Sequence, residues 1–482
     1  MTSTRDTPLV VDLDGTLTLT DTLFESFIAA VKKSPINLIK LPASLLGGKA
    51  AFKAVIAREA QPDVEHLPYN EHLLEFLHEE KRRGRRIILA TAAQESIAAS
   101  VAKHLALFDL VLASNEQTNL KGRAKLKSIQ ENVGEAFSYA GDSKYDLPIW
   151  RAAQSAILVS VAPDIAAAVR RDVPIEREFP KEEVGLSTWL RALRVHQWMK
   201  NLLLFVPVLT AFSFFDAKLI TQGALAFLAF SLAASATYIV NDLWDLGNDR
   251  RHPRKRSRPF AAGQISIAHG LIASASALGL GLLIAHAVST GFFALLLLYI
   301  AATSAYSWVL KEYVLIDVLT LSLLYTLRIL AGSVAIGVVV SPWLLAFSVF
   351  IFLSLALVKR CAELVSLELS GKRAAHGRDY RVTDLVALWP LGIAAGVSAV
   401  VIFGLFINIP ETQQRYASPN LLWIAAVSLT YWMGRIWIKT SRGEMHDDPI
   451  IFAIKDRGSL VTVLSVIAII LTARFADLNT LF

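Results

Sequence analysis

Asn241-Asp242-Leu243-Trp244-Asp245-Leu246-Gly247-Asn248-Asp249 closes an apolar run centred near residue 230, and its reading decides the architecture of most of the chain. Acids at i, i+3 and i+7 of a helix fall within about 60° of one another, on one face. Asp242, Asp245 and Asp249 are therefore expected side by side at the end of a membrane-length helix, with Asn241 beside them. Carboxylates bunched at a membrane interface repel one another and call for a cation; oxygen ligands alone suit Mg²⁺ bridging to a diphosphate. The basic run Arg250-Arg251-His252-Pro253-Arg254-Lys255-Arg256-Ser257-Arg258-Pro259 follows immediately. Next to three acids it reads as a phosphate-binding segment, with Lys255, Arg256 and Arg258 as candidates, in preference to an anchor for anionic lipid heads.

Around this stretch, apolar segments of roughly twenty residues, enough to cross a bilayer as a helix, recur from residue 188 onward. About nine are expected, centred near residues 205, 230, 277, 299, 324, 350, 397, 428 and 467. Threading them alternately puts loops 242–265, 310–312, 359–385 and 435–457 on one side, with about eighteen Lys and Arg against about three opposite. The basic side is expected in the cytoplasm. The net charge of +7 is thus a topology signal, and no nucleic-acid partner is expected. A hydrophobic fraction of 54% excludes an ordinary soluble enzyme, and the single cysteine, Cys361, excludes a disulfide scaffold.

Further polar residues cluster at the cytoplasmic ends of later segments. Lys311 and Asp317 precede or open the fifth, and Arg328 lies eleven residues beyond Asp317, nearly on the same helical face. Lys359, Arg360 and Glu363 close the sixth, where Lys359 and Glu363 have an internal ion pair as their plainer reading. Lys200 and Asn201 sit where the first segment enters the membrane. Charges inside a membrane bundle face its interior or a wet cavity, so a polar cavity open to the cytoplasm is expected. Asp447-Asp448-Pro449 reads equally as a helix cap or as a substrate contact.

The first 180 residues have a soluble protein's composition, separated by a linker over 181–187. Met1–Pro8 is polar and the first apolar run is strand-length, so this domain is expected to stay in the cytoplasm, at the inner membrane. Leu9–Leu13, Arg86–Ala90, Leu110–Ala113, Phe137–Ala140 and Ala156–Val159 read as strands with helices between them, a Rossmann-like α/β sheet. Residues 18–85 read as a small helical cap. Ligands of such sheets sit beyond the carboxyl ends of the strands. Those ends carry Asp12-Leu13-Asp14-Gly15-Thr16, Thr91, and Gly141-Asp142-Ser143 with Asp146, while Lys121 and Lys125 open a helix.

This ordered set resembles the haloacid-dehalogenase-like phosphohydrolases over about residues 8–178. The resemblance implies Asp12 as the phosphoryl-accepting nucleophile and Asp14 as general acid/base. It implies Thr91 and either Lys121 or Lys125 on the phosphoryl oxygens, and Mg²⁺ among Asp12, Asp14, Asp142 and Asp146. Residues 187–478 resemble the UbiA-type prenyltransferase superfamily through NDxxDxxxD at Asn241–Asp249. Most members use a second motif, DxxxD, where this chain has Asp317 followed four later by Leu321. That departure, with HPxKRxRPxAAG at 252–263 and KRxAEL at 359–364, is more similar to the decaprenyl-phosphate 5-phosphoribosyltransferase branch. The resemblance implies a phosphoribosyl diphosphate donor on Asp242, Asp245 and Asp249 through Mg²⁺, and a polyprenyl phosphate acceptor oriented by cations such as Lys311, Lys359 or Arg360. The expected whole is a bifunctional membrane enzyme that transfers 5-phosphoribose and then removes its 5-phosphate. The competing expectation is a conventional prenyltransferase with an aromatic acceptor and an independent phosphatase.

Overall fold

The computed structural model describes residues 7–181, 183–371, 378–445 and 448–477. Met1–Asp6, Glu182 of the linker and Asp447 lie outside the described residues. The chain forms two compact units, one of residues 1–194 with 238–276, the other of residues 195–237 with 277–482.

Among its described residues the first unit is built on six parallel strands: β1 (Leu9–Val11), β2 (Ile87–Gln94), β3 (Leu110–Ser114), β4 (Ser138–Gly141), β5 (Ser155–Val159) and β6 (Ile175–Phe179). Their order is β3-β2-β1-β4-β5-β6, so β1 lies between β2 and β4. Helices cover both faces: α1 (Thr22–Lys33), α2 (Asn37–Ala43), α3 (Lys49–Glu59), α4 (Glu71–Arg82), α5 (Glu95–Leu105), α6 (Arg123–Asn132), α7 (Leu147–Ala152) and α8 (Pro163–Asp172). A parallel sheet covered on both sides needs strands apolar on both faces. Accordingly Leu9 and Val11 join one core with Leu73, Leu77 and Ile157, while Val10 points into the other with Ile88, Tyr139 and Trp150.

The five strands expected from the sequence are present, with ends shifted by a residue or more; β6 is additional. The cap is smaller than the helical stretch 18–85 suggested. Its own core is Ala30, Leu41 and Ile56, from α1–α3, whereas α4 buries Leu73 and Leu77 against the sheet. Asp21 caps α1 by accepting from the Leu23 backbone N–H at 2.9 Å.

Among the described residues, eight helices are long and apolar enough to cross a membrane: Ala217–Trp244, Ile267–Val288, Thr290–Trp308, Ile316–Ile336, Pro342–Leu369, Val382–Ile407, Pro419–Ser441 and Arg457–Phe475. The expected segment near residue 205 is instead a 3₁₀ run, Val195–Phe205, and a short helix, Val206–Thr210. Polar side chains inside that stretch explain the irregularity: the Asn201 amide donates to Ser231 Oγ at 3.0 Å and its oxygen accepts from Arg328 at 3.0 Å. Small residues allow close packing between the helices. A Cβ on Gly332 would stand 2.1 Å from the Leu204 carbonyl oxygen, and one on Gly392 2.2 Å from the Trp437 ring.

Candidate active sites in the two halves

The carboxyl ends of β1, β2 and β4 surround a cavity of about 230 Å³ in the first unit, roofed by α1 and α3 of the cap. Asp12 directly follows β1, its carboxylate fixed by the Leu13 N–H at 2.8 Å and by Lys125 Nζ at 2.8 Å. Lys125 is buried, and it also meets Asp146 at 3.6 Å and the Tyr139 hydroxyl at 3.1 Å. Of the two lysines that spacing left open, Lys125 is therefore the one at Asp12. Lys121 sits at the rim with its ammonium 3.6 Å from the Tyr145 ring centroid.

Asp14 accepts from the Thr22 N–H at the start of α1 at 2.8 Å. Gly15, at φ +78°, admits Asp142: a Cβ there would stand 2.3 Å from Asp142 Oδ2. Asp146 is more fully occupied, accepting from the Tyr139 hydroxyl at 2.8 Å and the Ser143 hydroxyl at 3.1 Å. Thr91 lies just behind the cavity, fully buried, its hydroxyl accepting from the Ala93 N–H at 2.9 Å. Ala92, Ala93 and Gln94 line the cavity in front of it.

Burial drives the electrostatics. It pushes Asp14 up to about 7, with Asp21 adding to it and the Thr22 N–H opposing. It pushes Asp142 up to about 8, helped by the charges of Asp12 and Asp146. Asp12 is raised too, burial outweighing Lys125. Oxygens of Asp12, Asp142 and Asp146 all lie within 4.8 Å of one another. An all-oxygen cluster that one lysine leaves short of positive charge fits a hard divalent cation such as Mg²⁺.

A stability consequence follows. The unfolded chain ionises these acids above about pH 4, whereas in the ion-free fold Asp142 stays protonated until about 8. The fold therefore loses stability as pH rises across that window. Asp142→Asn is expected to slow hydrogen exchange in β1 and β4 of the full-length protein about tenfold or more at pH 8 without divalent ions. Millimolar Mg²⁺ should protect wild type and not the variant; equal protection of both would remove the cation from this cluster.

The second acid cluster, also in the first unit, departs from its expected form. Helix Ala217–Trp244 ends one residue before Asp245, and a short helix, Leu246–Arg251, follows. Asp242 and Asp249 are both buried and share one guanidinium, with Arg258 Nη1 at 3.1 Å and 2.6 Å respectively. Arg194 also pairs with Asp242, and Lys255 lies 3.8 Å from Asp249. Asp245 points elsewhere, 3.8 Å from Lys32 of α1. The positive charge beside Asp242 and Asp249 comes from Arg194, Arg258 and Lys255. As arranged, these three acids do not form a cation cradle.

The basic run divides as well. Arg250 forks onto Glu25 of α1 at 2.6 Å and 3.1 Å, and Arg251 meets Asp63 at 2.6 Å. Phe24 and Ile28 of the same helix pack against the cluster of Leu243, Leu246 and Phe260. Gly263, at φ +70°, lies so close to Leu19 that a Cβ would stand 2.7 Å from the leucine Cβ. The loop 245–265 is therefore built into the cap and its neighbours, and Arg256 is exposed.

In the second unit, Arg328 faces the interior as expected, donating to Asn201 at 3.0 Å and to the Tyr299 hydroxyl at 3.0 Å. Lys200 and Lys359 both reach Asp448, at 2.8 Å and 3.1 Å. Asp317 and Arg360 form a fully buried ion pair at 2.8 Å. Arg360 also pairs with Glu363, so the internal ion pair weighed for Lys359 belongs to its neighbour. Lys311 is half-buried on the turn Leu310–Glu312.

Residues 9–151 match the model of the haloacid dehalogenase-like hydrolases, and residues 203–452 match that of the UbiA prenyltransferase family. The chain belongs to the UbiA prenyltransferase family. It is a UbiA-type transferase carrying a haloacid-dehalogenase-like phosphatase domain, and a multi-pass membrane protein. The Sinorhizobium fredii protein y4nM is 39% identical over 461 residues, covering 94% of this chain and 89% of that one. Decaprenyl-phosphate phosphoribosyltransferase of Corynebacterium glutamicum is 34% identical over 220 residues, 45% of this chain and 66% of that one. The solved structure of a UbiA homolog from Archaeoglobus fulgidus bound to GPP and Mg²⁺ aligns over 59% of this chain and 99% of its own, at 18% identity and a TM-score of 0.44. In this UbiA-type chain the sequence reading missed Arg194, Lys53, Glu25 and the pairing role of Asp448. Arg194 carried one local signal, its place with Arg191 between the linker and the first apolar segment; its left-handed φ of +51° is not marked by a glycine or asparagine.

Proposed function

We propose that the chain transfers 5-phosphoribose from phosphoribosyl diphosphate to a polyprenyl phosphate and then hydrolyses the 5-phosphate, giving polyprenylphosphoryl ribose. The observation that carries this reading is the fusion itself. A phosphatase cavity and the Asp242–Asp249 loop are built into one unit, in a chain similar to a decaprenyl-phosphate phosphoribosyltransferase. Transfer leaves a phosphomonoester on a lipid-linked sugar, and a tethered phosphatase meets that product at high local concentration. The basic loops support a cytoplasmic placement of both sites at the inner membrane.

In the phosphatase, the Asp12 carboxylate attacks phosphorus while Asp14 protonates the departing ribose oxygen; water, deprotonated by Asp14, then releases inorganic phosphate from the acyl phosphate. A carboxyl poised at about 7 is suited to giving and taking that proton near neutral pH. Lys125 holds the phosphoryl oxygens beside Asp12. Asp12 and Asp142, with Asp146 behind them, would hold Mg²⁺, which when bound supplies charge against the phosphoryl oxygens.

In the transferase, Arg194, Arg258 and Lys255 meet the donor's diphosphate, and Asp242 and Asp249 orient those cations between turnovers. The lipid phosphate enters near Lys200, Lys359 and Lys311. The test is product formation on membranes from labelled phosphoribosyl diphosphate and polyprenyl phosphate. Arg258→Met is expected to lose about 100-fold or more in kcat/KM, the scale of a lost charge-assisted contact, and it leaves Asp242 to Arg194 and Asp249 to Lys255. With no labelled lipid from folded wild type, the phosphoribosyl reading fails, and polyprenyl diphosphate with aromatic acceptors becomes the reading to assay.

A further inference from the structure

The phosphatase cavity has a second basic wall that hydrolysis at Asp12 does not use. Lys53 enters from α3 of the cap, and its ammonium donates to the Ala92 carbonyl at 2.7 Å and to Asn119 Oδ1 at 3.1 Å. Both acceptors are neutral. Lys121 lines the same cavity from the turn before α6, its ammonium resting on the Tyr145 ring. Lys125, deeper, is committed to Asp12 and Asp146. Lys53 feels the other two. Burial pushes Lys53 below the ordinary lysine range, Lys121 and Lys125 push the same way, and Asp14 and Asp21 resist. Ammonium groups gathered in a partly dry cavity are relieved by an anion, as gathered carboxylates are by a cation.

We propose that Lys53 and Lys121 form a second anion subsite, so that this phosphatase acts on a phosphomonoester whose sugar-sized body carries another negatively charged group. The geometry divides the labour. Lys125 takes the phosphoryl group under attack at Asp12, while Lys53, from the cap, and Lys121, from the rim, take the far charge. A cavity of about 230 Å³ accommodates a pentose-sized body between them. This rests on the function proposed above and sharpens it: polyprenylphosphoryl ribose 5-phosphate has a phosphodiester at the opposite end of the sugar from its monoester. A neutral sugar 5-phosphate would leave the second subsite unpaired and bind less well.

The test compares ribose 1,5-bisphosphate with ribose 5-phosphate in the full-length protein, reading KM and kcat separately. Wild type is expected to favour the bisphosphate roughly 10- to 100-fold in kcat/KM, the worth of one charge-assisted hydrogen bond. Lys53→Met, which keeps the aliphatic stem, should erase that preference through KM and change ribose 5-phosphate turnover less than about threefold; Lys53→Arg should retain most of it. Equal losses on both esters, or a wild type that does not discriminate, would overturn the subsite and leave Lys53 as a cap-holding residue. If wild type hydrolyses neither ribose ester, the ribosyl reading has failed separately. Butane-1,4-diol bisphosphate against butyl phosphate then decides the second-anion subsite by the same criterion.

Discussion

Asp12→Asn is expected to abolish phosphate release from the lipid-linked product while leaving its synthesis intact. The substitution keeps the shape of the side chain and removes the nucleophilic oxygen pair. The Leu13 N–H still has an oxygen to bond, and Lys125 keeps Asp146 at 3.6 Å. Folding should not suffer: burial already disfavours the Asp12 charge, so a neutral amide there is tolerated or stabilising. Replacing a nucleophile that forms a covalent intermediate typically costs about 10⁴-fold or more in kcat. The measurement is chromatography of labelled lipid from membranes fed labelled phosphoribosyl diphosphate and polyprenyl phosphate. Wild type should accumulate the dephosphorylated sugar, and the variant only the 5-phosphorylated one. A 5-phosphorylated product from both proteins would keep the transferase and send the phosphatase to another substrate. Dephosphorylation unchanged in the variant would show that Asp12 is not the nucleophile.

Why Asp12 was legible, and its partners less so, follows from the architecture. A parallel sheet gathers the carboxyl ends of its strands, so Asp12, Asp14 and Asp142 could be placed near one another from strand ends alone. Lys121 and Lys125 could not be told apart, because the answer depends on how α6 is rotated. Gly122, at φ +56°, starts that helix so that Lys125 points inward. β6 was invisible for a related reason: Ile175-Glu176-Arg177-Glu178-Phe179 is a half-exposed edge strand whose charges hide its pairing with β5. Lys53 has no motif around it and gains meaning only because the cap folds over the cavity.

In the membrane half, the composition of single helices gave the spans and the inward direction of their charges. The partners were hidden by distance along the chain. Lys200 finds Asp448 across 248 residues and Arg328 finds Asn201 across 127. A second limit was which distant cations would flank the bunched acids. Asp242 and Asp249 needed positive charge, and the spacing could not say that Arg194 and Arg258 provide it.

Asp317 and Arg360 pair deep in the second unit, where each charge depends on the other. Both side chains were expected at a substrate site, yet both have zero exposure and lie 2.8 Å apart. The Tyr306 hydroxyl donates to the other Asp317 oxygen at 2.9 Å, and the Tyr380 ring stands 5.4 Å from the Arg360 guanidinium. Removing one member leaves the other charged and buried, a loss of about 3–5 kcal/mol, whereas replacing both with apolar groups of similar volume can be neutral. Asp317→Leu and Arg360→Met are therefore each expected to lower the thermal midpoint of the detergent-solubilised protein strongly and to cut the yield of folded chain. The double variant should recover much of both, with a coupling energy of about 1–3 kcal/mol in the cycle. Glu363, which also pairs with Arg360, sets the limit to recovery, because the double variant strands it beside Arg378 alone. Transferase activity per folded molecule decides between the two roles. If the pair serves the fold, the double variant should stay within about threefold of wild type; if Asp317 binds substrate, recovered folding will bring no recovery of turnover.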